Sequence, residues 1–163
     1  MPQENQEKSR QYGQDIAALL PAVVELSASA IPLEVDLLRE RTCLRPEDGQ
    51  PQTQTSWIGR AAGPVSDSGS ADAALDAIRS YLDGKGWELK NETTAETGDV
   101  RAIYFNRGEL GATAVHHRTA DDAHLVVMIS SPCLEHPEEH RMVRSELDPE
   151  YGRYSQYYDD GAA

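Results

Sequence analysis

Two cysteines are the feature of this sequence that most restricts its fold. Cys43 lies near the end of an early strand-like segment, 33–44, and Cys133 ends the most apolar strand-like segment of the chain. A bridge between them would close a loop of about ninety residues, which loop-entropy models value at roughly 4 to 5 kcal/mol. Because disulfides persist in oxidising compartments, the pair predicts an exported protein with two distant strands held together. The alternative is two separate buried thiols in a cytosolic protein.

Length and charge narrow the classes of partner. The chain has 163 residues, which corresponds to a single domain, and a formal net charge of −13. Binding to nucleic acid or to anionic lipid depends on cationic side chains that neutralise phosphates, so both are excluded as expected partners. Residues 1–7 have neither the basic nor the apolar region of a signal peptide. If the protein is exported, we expect its signal to have been removed.

Two segments have the spacing of apolar residues that is typical of amphipathic helices. The first, 4–28, is long, and Pro21 inside it predicts a kink or a break because proline removes an amide donor. In the second, Ser70 is placed to cap a helix that Gly84 ends. The apolar stripes are Tyr12, Ile16, Leu19, Leu20, Val23 and Leu26 in the first helix, and Leu75, Ile78 and Leu82 in the second.

The second half of the chain alternates apolar and polar residues between turn-rich joints, as antiparallel strands do. Four strands are predicted there, and Gln52–Arg60 adds an earlier one. The four are 87–93, 100–106, 110–118 and 124–131. The predicted fold class is therefore α+β: an antiparallel meander sheet of four to five strands packed on a long N-terminal helix and a second helix.

The predicted domain organisation has three parts: a flexible N-terminal linker at 1–9, a single α+β domain at 10–135 and an acidic, tyrosine-rich tail at 136–163. The tail has few aliphatic residues to bury, so we expect it to be largely mobile or to become ordered on a partner. Tyrosine is favoured at protein interfaces, which makes the tail's tyrosines candidate partner-binding residues. These are Tyr151, Tyr154, Tyr157 and Tyr158.

His136 and His140 fit the pattern H-x-x-E-H, which on a helix presents two imidazoles to zinc and a glutamate as a base. Pro137 disfavours helical backbone at His136, and no third ligand follows on a helix. We therefore interpret the motif as the solvated start of a helix and assign no metal ligand, no cofactor and no catalytic residue.

Another histidine pair, His116 and His117, is adjacent in a predicted strand. Their side chains should point to opposite faces of the sheet, so that only one can share a face with His124. We interpret them as polar side chains of the sheet that pair across strands and form no metal site. The alternative is a small-ligand-binding protein or hydrolase whose site combines carboxylates and histidines on the sheet.

The order of several short elements resembles that of small, uncharacterised lipoproteins and exported proteins of actinobacteria, over roughly residues 10–135. The elements are an N-terminal helix, Thr42-Cys43, the strand Trp57-Ile58-Gly59-Arg60, an alanine-rich helix, Gly86-Trp87 and the run Val-Val-Met-Ile-Ser-Ser-Pro-Cys133. The resemblance implies a protein on the outer face of the cell membrane, held there by a lipidated cysteine that this sequence lacks, or a secreted one. The lack of an assembled catalytic motif, together with the tyrosines of the tail, predicts a non-enzymatic binding or regulatory module whose partner is another envelope protein.

Overall fold

The computed structural model describes residues 2–95, 100–117 and 123–159. Helix α1 covers Pro2–Ser27 and helix α2 covers Ser68–Gly84. The strands are β1 Glu34–Thr42, β2 Gln54–Pro64, β3 Glu88–Thr94, β4 Val100–Arg107, β5 Leu110–His117, β6 His124–Ser130 and β7 Leu134–Glu135. Among the described residues, neither helix is long and apolar enough to cross a membrane.

All seven strands form one antiparallel sheet in the order β1-β2-β6-β5-β4-β3, and β7 pairs with β2 beside β6. The predicted meander is confirmed for β3 to β6, and the α+β fold class is confirmed with it. The sheet has more strands than the four to five predicted, because β1 and the short β7 also pair with β2, which joins the meander through β6. Arg118, the last residue of one predicted strand, lies outside the described residues.

Both helices pack on one face of the sheet. Alternate residues of β2 are buried on this face, Trp57 and Gly59 among them. A Cβ atom on Gly59 would lie 2.5 Å from Cγ2 of Ile16 in α1, so this glycine allows a close helix contact. The opposite face carries half-exposed side chains such as Tyr104 and Met128, as is usual when an antiparallel sheet is covered on one side.

Helix boundaries differ from the sequence prediction in two ways. Helix α1 already includes the residues expected to form a flexible linker, from Pro2 onward, and it continues through Pro21. Pro21 is exposed, and the buried Leu20 and Val23 on either side hold that turn against the sheet. Helix α2 is capped by Asp67, which accepts a hydrogen bond from the Ser70 amide, rather than by Ser70 itself.

The segment 136–159 packs along the free edge of β1 instead of forming the mobile tail that its composition suggests. The Glu40 amide donates to the carbonyl of Val143 at 2.9 Å, and the Ser145 amide donates to that of Leu38 at 2.9 Å. Asp148, farther along the segment, is also buried. These contacts are mostly polar, so a count of aliphatic residues does not reveal them. Residues 160–163 of the predicted tail lie outside the described part of the chain.

Cys43 and Cys133 form the disulfide expected from the sequence, with their Cα atoms 6.3 Å apart. Cys43 directly follows β1, and Cys133 lies between β6 and β7. The bridge therefore connects two strands that β2 separates in the sheet.

Candidate functional site

Four polar side chains meet in the interior where the C-terminal segment covers β1. Glu40 comes from β1, Thr55 from β2, and His136 and His140 from the loop after β7. The first three residues are 2%, 1% and 8% exposed, and the side chain of His140 is 9% exposed. Polar groups are rarely buried together unless hydrogen bonds satisfy them, so their contacts decide what the cluster can do.

Strand pairing explains how these residues meet. Thr55 lies opposite Thr42, which places its side chain diagonally next to Glu40 on the same face. The pairing of β7 with β2 continues as a hydrogen bond from the His136 amide to the Thr53 carbonyl at 2.8 Å. A turn then brings His140 back toward β1, with its amide donating to the Pro137 carbonyl at 3.0 Å.

One hydrogen-bonded chain links the four side chains. The Thr55 hydroxyl donates to Glu40 Oε2 at 2.7 Å, and His136 Nε2 lies 2.9 Å from the same hydroxyl oxygen. Because the hydroxyl has a single proton, His136 must be the donor in that second contact. His140 Nε2 also lies 2.8 Å from Glu40 Oε2. The buried carboxylate thus accepts hydrogen bonds from a hydroxyl and an imidazole.

The two imidazoles stack on each other, with ring centroids 3.8 Å apart and an angle of 11° between the rings. Burial lowers the pKa of His136, and a charge on His140 would lower it further, while the carboxylate of Glu40 acts in the opposite direction. His136 is therefore neutral at ordinary pH. Its Nε2 carries the proton, and its buried Nδ1 has no hydrogen-bond partner.

A cleft of about 530 Å³ opens beside this cluster, between helix α1 and residues 139–145. Glu40, Trp57 and His140 belong to its lining, together with Ser9 and Gly13 of α1. The Trp57 indole donates to the Ser9 hydroxyl at 2.9 Å, and its ring lies so close to α1 that a Cβ atom on Gly13 would be 2.7 Å away. Only glycine at this position allows the helix and the indole to form the cleft together.

The cluster also has the composition of a metal site. Ligand atoms of Glu40, His136 and His140 all lie within 4.8 Å of one another. Two imidazoles and one carboxylate are donors that suit zinc and related transition metals.

No family model matches the chain, and no curated protein matches it. Among solved structures, it is similar to the crystal structure of the putative lipoprotein LppA from Mycobacterium tuberculosis. The two share 11% sequence identity with a TM-score of 0.48, over 83% of this chain and 87% of that chain. No residue role is carried over at that level of likeness.

The four tyrosines named from the sequence divide into two groups. Tyr151 and Tyr154 are exposed, and Tyr154 is 97% exposed. Tyr157 and Tyr158 are half-buried. The Tyr158 hydroxyl donates to the Glu40 carbonyl at 2.6 Å, and burial raises the pKa of Tyr158, although Arg39 and Arg144 oppose the change. Tyr158 therefore fastens the C-terminal segment to β1.

The alternative prediction placed a site of carboxylates and histidines on the sheet, but the histidines of β5 do not line the cleft. His116 is buried, and His117 points to the other face, where its ring lies 5.2 Å from that of His124. The opposite orientation expected for the two neighbours is confirmed. The cleft is lined instead by His140 of the H-x-x-E-H motif and by Glu40.

The interpretation of that motif as the solvated start of a helix is wrong. Residues 136–140 form a turn rather than a helix, His136 is buried, and the turn brings both imidazoles together. Glu40, the third member, comes from a strand far away in sequence. The sequence feature that could have identified Glu40 is the alternation of side chains in β1, which places Glu40 on the same buried face as Leu38.

Proposed function

We propose that the protein is a non-enzymatic extracytoplasmic binding module that takes a small ligand in the cleft between α1 and residues 139–145. The cleft itself carries the proposal, because it has about 530 Å³ and a few buried polar groups on one wall. Small-molecule sites typically have about 300–1,000 Å³ and combine apolar surface with a small number of such groups.

The lining indicates the chemistry of the ligand. The indole of Trp57 and the small Ala17 provide apolar surface, whereas Glu40 and His140 provide a hydrogen-bonding pair that is largely shielded from water. Arg10 adds a cation to the lining. A small polar molecule with an apolar ring or chain fits this combination.

Filling the cleft tests the proposal. The probe is a library of water-soluble fragments, detected by saturation-transfer NMR and located by shifts of the Ser9, Gly13 and Val143 amides. Ala17→Phe should abolish the shifts, because Ala17 lines the cleft. Ala18→Phe is the matched control, since Ala18 is exposed and outside the lining. Fragments that bind equally well to the Ala17→Phe protein would contradict the proposed site.

The extracytoplasmic location rests on the disulfide, which is characteristic of proteins in oxidising compartments. In intact cells, we expect Cys43 and Cys133 to resist alkylation until a reductant is added. Rapid alkylation without reductant would place the protein in a reducing compartment.

A second candidate function is contact with another envelope protein through Tyr151 and Tyr154. Their exposure favours it, because large exposed aromatic side chains are common at interfaces. A photo-crosslinking residue at 154 should capture one cell-surface partner, whereas the same residue at Tyr104, exposed on the sheet, should not. Identical products from both positions would argue against this surface.

A further inference from the structure

We propose that Glu40, His136 and His140 bind one divalent transition-metal ion, with Zn²⁺ the best match. The inference goes beyond the proposed ligand cleft and does not depend on it. Zinc is held in proteins by imidazole nitrogens at about 2.0–2.1 Å and carboxylate oxygens at about 2.0–2.2 Å. The cluster offers two groups of the first kind and one of the second.

The spacing of the donors permits such a site after a small adjustment. Their ligand atoms lie within 4.8 Å of one another, whereas a tetrahedral zinc ion would separate them by about 3.3 Å. Hydrogen bonds connect these side chains, through the Thr55 hydroxyl and directly between His140 and Glu40. In particular, the proton between His140 Nε2 and Glu40 Oε2, 2.8 Å apart, occupies the place where an ion would join an imidazole to the carboxylate.

His136 provides a second, independent observation. The residue is 8% exposed, and its Nδ1 has no hydrogen-bond partner. A buried polar atom without a partner is uncommon, and a bound ion is one of its recognised explanations. The hydroxyl of Thr55, 2.9 Å from Nε2, accepts a hydrogen bond from the ring N–H, so the Nδ1 lone pair is available to an ion. Metal-binding histidines are usually oriented by such a contact on their other nitrogen.

Two further features suit a site of this kind. Both cysteines are held in the disulfide, so no free thiolate competes for the ion. Glu40 and His140 also line the cleft, which leaves room for water or another donor beside the three protein ligands. Three protein ligands with an open position are typical of zinc sites that exchange a ligand.

Titration of the oxidised full chain with Zn²⁺, in competition with a chromophoric chelator and without reductant, tests the site. We expect a single saturable ion per chain. His140→Ala should weaken binding at least about 100-fold, and Glu40→Gln by a similar factor, because losing even an outer contact of a metal ligand typically costs 10- to 100-fold. Thr55→Val removes the hydrogen bond to Nε2 of His136, which is an outer contact of a metal ligand. It should weaken binding by about 10- to 100-fold.

His117→Gln is the control, because it removes the other stacked histidine pair and leaves the cluster intact. Its zinc affinity should equal that of the wild type. Circular dichroism melts without metal identify any variant that fails to fold, and the partly exposed His140 makes His140→Ala the safest one. Absence of a saturable step, or a step lost in His117→Gln and kept in His140→Ala, would overturn the proposal. Ala17→Phe should keep zinc while losing fragments, which separates the two proposals.

Discussion

Asp148 is the buried charge that fastens the C-terminal segment to the edge of β1. Its side chain is fully buried and accepts hydrogen bonds from the Leu38 amide at 2.8 Å and from two nitrogens of Arg39, at 2.9 and 3.0 Å. It also accepts one from the Glu150 amide at 2.8 Å. The change Asp148→Ala removes all four and leaves a buried amide and a mostly buried guanidinium with fewer partners.

The expected loss of stability follows from that environment. Removing one member of a buried ion pair typically costs about 3–5 kcal/mol. Arg39 keeps a second partner, Glu150, at 2.8 Å, so we expect the lower end of this range. Glu150→Ala is the matched control: its side chain is 46% exposed, and exposed ion pairs contribute at most about 1 kcal/mol.

Urea unfolding, followed by far-ultraviolet circular dichroism and tryptophan fluorescence, measures both variants. Asp148→Asn should fall between them, because its carbonyl oxygen can still accept from the Leu38 amide while the negative charge is gone. If Asp148→Ala lies within about 0.5 kcal/mol of the wild type, as surface changes do, the segment does not depend on this contact. The mobile tail predicted from composition would then be the better description.

Three further predictions concern the core, the disulfide and alkaline stability. Gly59→Ala should destabilise the fold by about 1–3 kcal/mol, because the new methyl group meets Ile16, whereas Gly84→Ala, with open space, should not. Replacing both cysteines with serine should cost roughly 4 to 5 kcal/mol in urea unfolding, if loop closure dominates. Burial and a hydrogen bond to Glu109 raise the pKa of Tyr12 from 10.0 to about 12. Its neutral form is therefore favoured by folding, so this stability is complete below about pH 10 and is lost as the pH rises toward 12. In melts across this range, Tyr12→Phe should decline less steeply than the wild type; equal slopes would contradict the assignment.

The parts of the fold that were predicted from the sequence are those with strong local periodicity. The stripe of Leu75, Ile78 and Leu82 identified α2, and the alternation of Leu125, Val127 and Ile129 identified β6. In both cases, burial of a regular apolar face decides the local structure, so short-range patterns are sufficient. The disulfide was predictable for another reason, since two cysteines allow a single intramolecular pairing.

The parts that were missed depend on contacts between distant polar residues. Helix α1 continues through Pro21 because tertiary packing on both sides compensates for a missing hydrogen bond, which no local rule includes. Likewise, the candidate site combines Glu40 and His140, which lie 100 positions apart in the sequence. A single sequence records that both are polar, but it does not record that the segment after β7 returns the chain to the edge of β1.

The C-terminal segment connects these two observations. An uncovered β1 would expose a row of unpaired backbone groups, and such edges invite association with other strands. The Glu40 amide pairs with Val143, and the Glu40 side chain accepts from His140 three residues earlier in the same segment. The same segment thus covers the edge of β1 and places His140 beside Glu40. For this reason, a segment whose composition suggests a mobile tail both stabilises the edge of β1 and supplies the two histidines of the candidate site.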